Sequence, residues 1–294
     1  MTSVLKQFGL KTVISASRRT DIPAFYMDWF MDRINKGYFE VVNPYSKKRF
    51  NVDASSEKVH TIVFWSKNFN LFLKGGFGES LLEKGYNLFF NFTINSFNSL
   101  LEPNVPSLKD RLDQMDELCM RFNAKTIQWR FDPICFYKDN NGYTKNNLCD
   151  FEIIAGRAGD CGIDRCITSF VDLYAKIKKR SAGIGISFFD PSVEKKTNIL
   201  LGMEKTLHER GISLFTCCEK KILNMLPSES TVSQSACIPN EYLSKLFGGK
   251  ISLAKDRGQR IEAGCGCLAS SDVGSYSLHP CFHNCLFCYA NPSF

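Results

Sequence analysis

Thr12-Val-Ile-Ser-Ala-Ser-Arg-Arg-Thr-Asp-Ile-Pro-Ala-Phe25 decides how the chain is read. Residues 12–17 are few and β-branched or small, the pattern of a short buried strand. Polar residues follow, and Asp21-Ile22-Pro23 then has the form of a helix cap with an early helical proline. Strand, polar loop and helix in that order make one β/α unit. The pattern recurs downstream, with strand-like pieces at 60–65, 88–94, 126–131, 166–171 and 212–216. Helix-like stretches at 24–35, 69–83, 108–121, 145–159 and 193–209 alternate with them. An extra hairpin is expected from 38–42 and 49–52, its turn opened by Asn43-Pro44.

Six such repeats predict a parallel sheet with helical crossovers. The expected fold class is α/β, a (β/α) barrel-like domain that is a complete or partial TIM barrel, with an open doubly wound sheet as the alternative. No Gly-x-Gly-x-x-Gly follows the first strand, which argues against a dinucleotide-binding Rossmann domain. The barrel-like domain is expected over 1–222. Residues 223–294, rich in Gly and Cys and poor in periodicity, are expected to form a metal-binding tail packed on the barrel mouth.

The strand ends carry an unusual polar load. Arg18, Arg19 and Asp21 follow the first strand, Lys67 the second and Thr93 the third; Arg130 and Asp132 lie on the fourth, Ser169 and Asp172 on the fifth, Glu219 after the sixth. In a barrel such positions gather on one rim, where barrel enzymes place their chemistry. Arg18, Asp21, Lys67, Arg130 and Asp132 are therefore the candidate catalytic residues. Arg19, Thr93, Ser169, Asp172 and Glu219 are candidates for holding a cofactor. The arginines suit a bidentate clamp on carboxylate or phosphate, and the carboxylates suit ribose hydroxyls or proton transfer.

Composition narrows the class. With 44% apolar and 23% charged residues, the chain can bury a full core. No run of eighteen apolar residues and no secretory leader is visible, so no membrane is expected as a partner and the expected address is cytoplasmic. The formal charge of +7 is modest, and the basic runs at Lys47–Arg49 and Lys176–Arg180 read most simply as solvated faces. Nucleic acid remains an open partner, as does a small or nucleotide-like anionic substrate.

Thirteen cysteines demand an explanation, because a chain of this size needs no disulfide staples. Eight of them lie in the last third: Cys217, Cys218, Cys237, Cys265, Cys267, Cys281, Cys285 and Cys288. Cys281-x3-Cys285-x2-Cys288 can wrap three corners of a [4Fe-4S] cluster and leave the fourth iron open, where radical S-adenosylmethionine enzymes bind their cofactor. A zinc site would instead take Cys285 and Cys288 with two of Cys281, Cys265, Cys267, His279 and His283. A second set, Cys217 (or Cys218), Cys237, Cys265 and Cys267, could close around structural zinc or a second Fe–S cluster; buried free thiols are the alternative.

Several ordered motifs carry a family resemblance. They are residues 15–25, Phe-Trp-Ser-Lys-Asn at 64–68, Trp-Arg-Phe-Asp-Pro at 129–133, Ser-Phe-Val-Asp at 169–172, Thr-Cys-Cys-Glu at 216–219, Cys-Gly-Cys at 265–267 and the Cys-Tyr-Ala-Asn ending. Together they resemble DUF1848, a bacterial and archaeal domain family of unknown function. The resemblance implies a barrel-like α/β fold and an Fe–S site, and no reaction. Ordinary radical S-adenosylmethionine enzymes carry their triad after the first strand, whereas here it comes at the end. Their glycine-rich cofactor motif has only Gly75-Gly76-Phe-Gly78-Glu79 as a counterpart, which reads more simply as a loop.

The leading expectation is a radical S-adenosylmethionine-like enzyme supplied with electrons by a flavodoxin or ferredoxin. The competing one is a zinc- or Fe–S-stabilised protein that binds nucleic acid or a partner without catalysis; it expects the arginines on an outer face. Metal-assisted hydrolysis would need histidine ligands at strand ends, and the four histidines do not lie there.

Overall fold

The computed structural model describes residues 9–43 and 46–291. Eight strands form one sheet: β1 (Thr12–Ala16), β2 (Val59–Ser66), β3 (Asn87–Thr93), β4 (Ile127–Ile134), β5 (Arg165–Phe170), β6 (Ser213–Thr216), β7 (Ser233–Gln234) and β8 (Ser271–Asp272). Their order across the sheet is β7-β6-β5-β4-β3-β2-β1-β8, and every ladder is parallel. Each strand through β7 is thus laid beside the one before it. The last, β8, returns to the free edge of β1, where Ile14 and Ser15 pair with Ser271 and Asp272.

The barrel expectation is not met. The sheet is an open one, because no ladder joins β7 to β8 among the described residues. Each of these two-residue strands pairs on one side only, β7 with β6 and β8 with β1, and their other edges do not meet in a ladder. The segments beside them are joined by isolated backbone hydrogen bonds, from Gly266 N to the Ser235 carbonyl (3.1 Å) and from Leu268 N to the Ile238 carbonyl (3.2 Å), and by Asn240 Nδ2 to the Ala269 carbonyl (2.9 Å).

All six expected strands are present within a few residues of their expected bounds. Two expected helices are each split. Residues 22–36 form Ile22–Phe25 and Met27–Lys36, and residues 70–83 form Asn70–Lys74 and Phe77–Glu83, separated by Gly75 and a left-handed Gly76. Gly78 packs where a Cβ would stand 2.3 Å from the Phe122 ring, so Gly75-Gly76-Phe-Gly78 turns a helix pair and does not cradle a cofactor. Within the stretch expected to be helical from 145, Thr144–Asn146 is a strand and the helix runs Phe151–Asp160. The hairpin forms as Tyr38–Val42 against Arg49–Asp53; Pro44 of its expected turn lies outside the described residues.

Alternation along the strands explains the burial. Ile14, Ile62, Phe64, Phe90, Phe92, Trp129, Phe131 and Leu214 belong to the large core shared with the helices. Their neighbours Val13, Val63 and Phe89 face Ile238, Leu243 and Ile251 of the C-terminal segment. With both faces covered, the strands are mostly apolar, as those of parallel sheets are, and their polar residues such as Asn91 and Gln128 are buried and paired with each other. No helix among the described residues is long and apolar enough to cross a membrane.

Candidate functional site

Parallel strands end on one side of their sheet, and ligands of open α/β sheets sit beyond those carboxyl ends. Here the ends of β1 to β6 border a cavity of about 280 Å³. Arg18, Asp21, Lys67, Thr93, Arg130, Asp132, Ser169 and Asp172 line it, so most of the polar strand-end residues do meet. The cysteines of both sets line it too, as does Cys218. Arg19 and Glu219 stand outside the wall. Arg19 donates to the Gly274 carbonyl (3.0 Å). Glu219 accepts the Phe170 amide (2.7 Å), and burial pushes its carboxyl up to about 7.

Asp21 is fully engaged by the protein. One oxygen caps the Ile22–Phe25 helix through Ala24 N (3.0 Å); the other accepts Lys67 N (2.8 Å) and His283 Nε2 (2.8 Å). The other ring nitrogen of His283 meets the Asn104 carbonyl at 3.3 Å. Both ring nitrogens are therefore taken, which removes His283 from any zinc set. Its role is to pin the x3 segment of the triad, where Asn284 turns through a left-handed φ of 55°.

The rest of the triad loop is fastened in the same way. Leu286 N donates to the Leu101 carbonyl (2.9 Å), and Asn104 Nδ2 to the Phe282 carbonyl (2.7 Å). Arg180, whose guanidinium is buried, donates from Nη1 to the Leu286 (2.7 Å) and Cys288 (3.1 Å) carbonyls. Arg180 Nε and Nη2 have no hydrogen-bond partner. The basic run around it divides: Lys176, Lys178 and Lys179 are exposed, as expected of a solvated face, while Arg180 is structural. Burial pushes the thiols of all three triad cysteines up, Cys281 to about 12, so deprotonation there calls for a compensating positive charge.

Beneath Cys285 lies a buried ion pair, Lys67 Nζ to Glu102 Oε1 at 2.6 Å, with the ammonium 5.5 Å from the centre of the Phe287 ring. Glu102 has no motif to mark it in the sequence. Asp272 was equally hidden: it accepts Ser15 Oγ (3.0 Å), Ser17 Oγ (2.6 Å) and Arg18 N (2.8 Å), tying β8 to the first polar loop.

Arg18 and Arg130 both lie against the Trp65 ring, at 5.5 and 5.2 Å from its centre. Arg130 is committed to Asp132 and to Cys237 Sγ, and Ser169 Oγ completes this group on Asp132. Arg18 contacts Asp256 (3.4 Å) and Ser270 Oγ (3.3 Å), while its Nη2 is buried without a partner. Asp172 pairs with Arg260, another residue that sequence reading passed over.

In the second cysteine set, Cys217, Cys218 and Cys265 bring their sulfurs within 4.8 Å of one another and could bind a metal. No other trio of His, Cys, Asp or Glu among the described residues converges so closely, so the triad sulfurs are set wider. Gly266 sits where a Cβ would come 2.4 Å from the Ser235 carbonyl oxygen. The glycine of Cys-Gly-Cys is thus required by close backbone approach rather than by a left-handed turn.

Fold and site together define an open, parallel α/β protein whose strand ends face a cysteine-lined cavity. The model of a domain of unknown function, DUF1848, matches residues 13–290, and the chain belongs to that family. Among curated proteins, none matches the chain.

Proposed function

We propose that this protein is an iron–sulfur enzyme of radical S-adenosylmethionine-like type, with a [4Fe-4S] cluster on Cys281, Cys285 and Cys288 and an anionic substrate in the cavity beside it. The observation that carries the reading is that one cavity holds the three triad thiols together with Arg18, Lys67, Asp132 and Ser169 from the strand ends. The donor set fits the group: three soft sulfurs, no nitrogen ligand in reach from His283, and wider spacing than a single ion needs. Once bound, such a cluster with S-adenosylmethionine on its open iron supplies one-electron cleavage of a carbon–sulfur bond.

The chain's own groups would then bind and orient. Arg18 Nη2 offers a buried, unpartnered donor to a carboxylate or phosphate. Asp132, held by Arg130 and Ser169, is a fixed acceptor for a hydroxyl. Lys67 places a positive charge beside Cys285, where it favours the thiolate. Exposed Lys176, Lys178 and Lys179, on the helix that also carries Arg180, suit an acidic electron donor of the flavodoxin or ferredoxin kind.

The place of Arg130, buried, and of Arg18, largely covered, on the cavity wall weighs against the non-catalytic binder, which needs its arginines on an outer face. The deciding experiment is purification without oxygen, quantification of iron and sulfide, and reduction in the presence of S-adenosylmethionine. The reading expects about four irons per chain on the triad and release of 5′-deoxyadenosine. Protein that takes up no iron after cluster reconstitution ends it.

A further inference from the structure

The second cysteine group has a different geometry from the triad, and the difference points to a different metal. Cys217 Sγ lies 3.7 Å from Cys218 Sγ and 4.0 Å from Cys237 Sγ. Cys265 Sγ is within 4.8 Å of both Cys217 and Cys218, and Cys237 joins this trio through Cys217. Four thiolates around one ion at the zinc–sulfur length of about 2.3 Å form a tetrahedron with edges of about 3.8 Å. A cubic cluster holds each thiolate on a separate iron and spreads them farther apart.

The backbone is arranged to make this contact. Adjacent residues leaving a strand point to opposite faces, yet the vicinal Cys217 and Cys218 bring their sulfurs together. Cys218 does so from a left-handed φ of 63°, a conformation that a non-glycine residue adopts at a cost. Cys265 is delivered from a third stretch, behind Gly264 at φ 95° and ahead of the wedged Gly266. Arg130 meets Cys237 Sγ and offsets part of the surplus negative charge that four thiolates carry over a dication.

We propose that Cys217, Cys218, Cys237 and Cys265 form a mononuclear tetrathiolate site for a divalent, zinc-like cation, separate from the triad and closed to substrate. Cys267, which touches Cys237 and Cys265, also meets the Arg18 guanidinium and is left outside the four ligands. The site holds the segment after β6 and the Cys-Gly-Cys turn together across the gap that the sheet leaves open. Binding releases thiol protons and involves no change of oxidation state.

The test uses full-length protein in which Cys281, Cys285 and Cys288 are all serine, so that the triad contributes nothing. Elemental analysis is expected to find one zinc per chain, and exchange with cobalt(II) to give the intense visible bands and sulfur-to-cobalt charge transfer of a tetrahedral thiolate site. Adding Cys237→Ser is expected to weaken cobalt binding at least tenfold, whereas Cys267→Ser leaves affinity and spectrum unchanged. If the triple variant does not fold, X-ray absorption at the zinc edge of the wild-type protein replaces it, with four sulfurs at about 2.3 Å expected. Absence of bound metal, or iron and sulfide in cluster ratio in the triad-free protein, overturns the proposal. A metal lost with Cys267→Ser but kept with Cys237→Ser overturns the ligand assignment. Failure of the triad to take up iron would leave the zinc result standing.

Discussion

His283 Nε2 lies 2.8 Å from Asp21 Oδ2, joining the loop of the cysteine triad to the first β/α turn across 262 positions of sequence. Asp21 caps a helix with its other oxygen, so one carboxylate fixes both the start of the first helix and the place of the triad. Replacing His283 with Ala leaves that carboxylate oxygen short of a partner in a buried site, a loss of about 1–3 kcal/mol. H283A is expected to melt at a lower temperature than wild type even without metal. An unchanged apoprotein midpoint would show that the pair does no structural work.

The Lys67–Glu102 pair should behave as a unit. Removing one member strands a buried charge and is expected to cost about 3–5 kcal/mol. Replacing both, as K67M/E102Q, should recover most of that loss. Urea denaturation of the two single variants and the double gives the answer directly; additive losses would contradict the pairing.

Gly266→Ala places a methyl group 2.4 Å from a backbone oxygen that cannot rotate away. Overpacking of this kind costs about 1–3 kcal/mol. G266A is expected to fold with a reduced denaturation midpoint and to hold metal at the neighbouring cysteines more weakly, which competition with a chelator measures.

Arg180 offers one nitrogen to the carbonyls of both Leu286 and Cys288. Lysine supplies the charge without the planar fork. R180K is therefore expected to speed hydrogen exchange at the amides of residues 286–288 while leaving the helices of the main core protected. Equal exchange in the two proteins would mean that the loop is held by its other bonds alone.

How much of this was legible beforehand depends on how far each residue's role is local. The six long strands showed in the sequence because β-branched and aromatic runs mark buried parallel strands wherever they occur. The Asp21 cap showed because its partner, Ala24, is three residues away. What stayed hidden was set at long range. Ser271–Asp272 is two residues long and has no periodicity to reveal it; it is a strand only because β1 offers an open edge. The barrel expectation failed at the same place, since strand order advanced as a barrel's would while the last two short strands paired with β6 and β1 and not with each other. Glu102 and Arg180 resemble any surface charge until the loop they serve is seen against them. The cysteines were easy to find and hard to divide. Spacing along the chain isolates 281, 285 and 288, but only sulfur–sulfur distances separate the compact group from the open one.

The pairing of β8 with β1 also has a consequence for synthesis. The outer edge of β1 leaves the ribosome with its amides and carbonyls ready to pair, and its mate emerges 257 positions later. During that interval the nascent chain exposes an unprotected edge of the kind that invites strand addition by other chains. The cysteine triad at 281–288 follows β8 in the chain, so a cluster of the proposed kind could be received only after that edge strand has been made. A factor that shields the β1 edge until then would raise the yield of soluble protein.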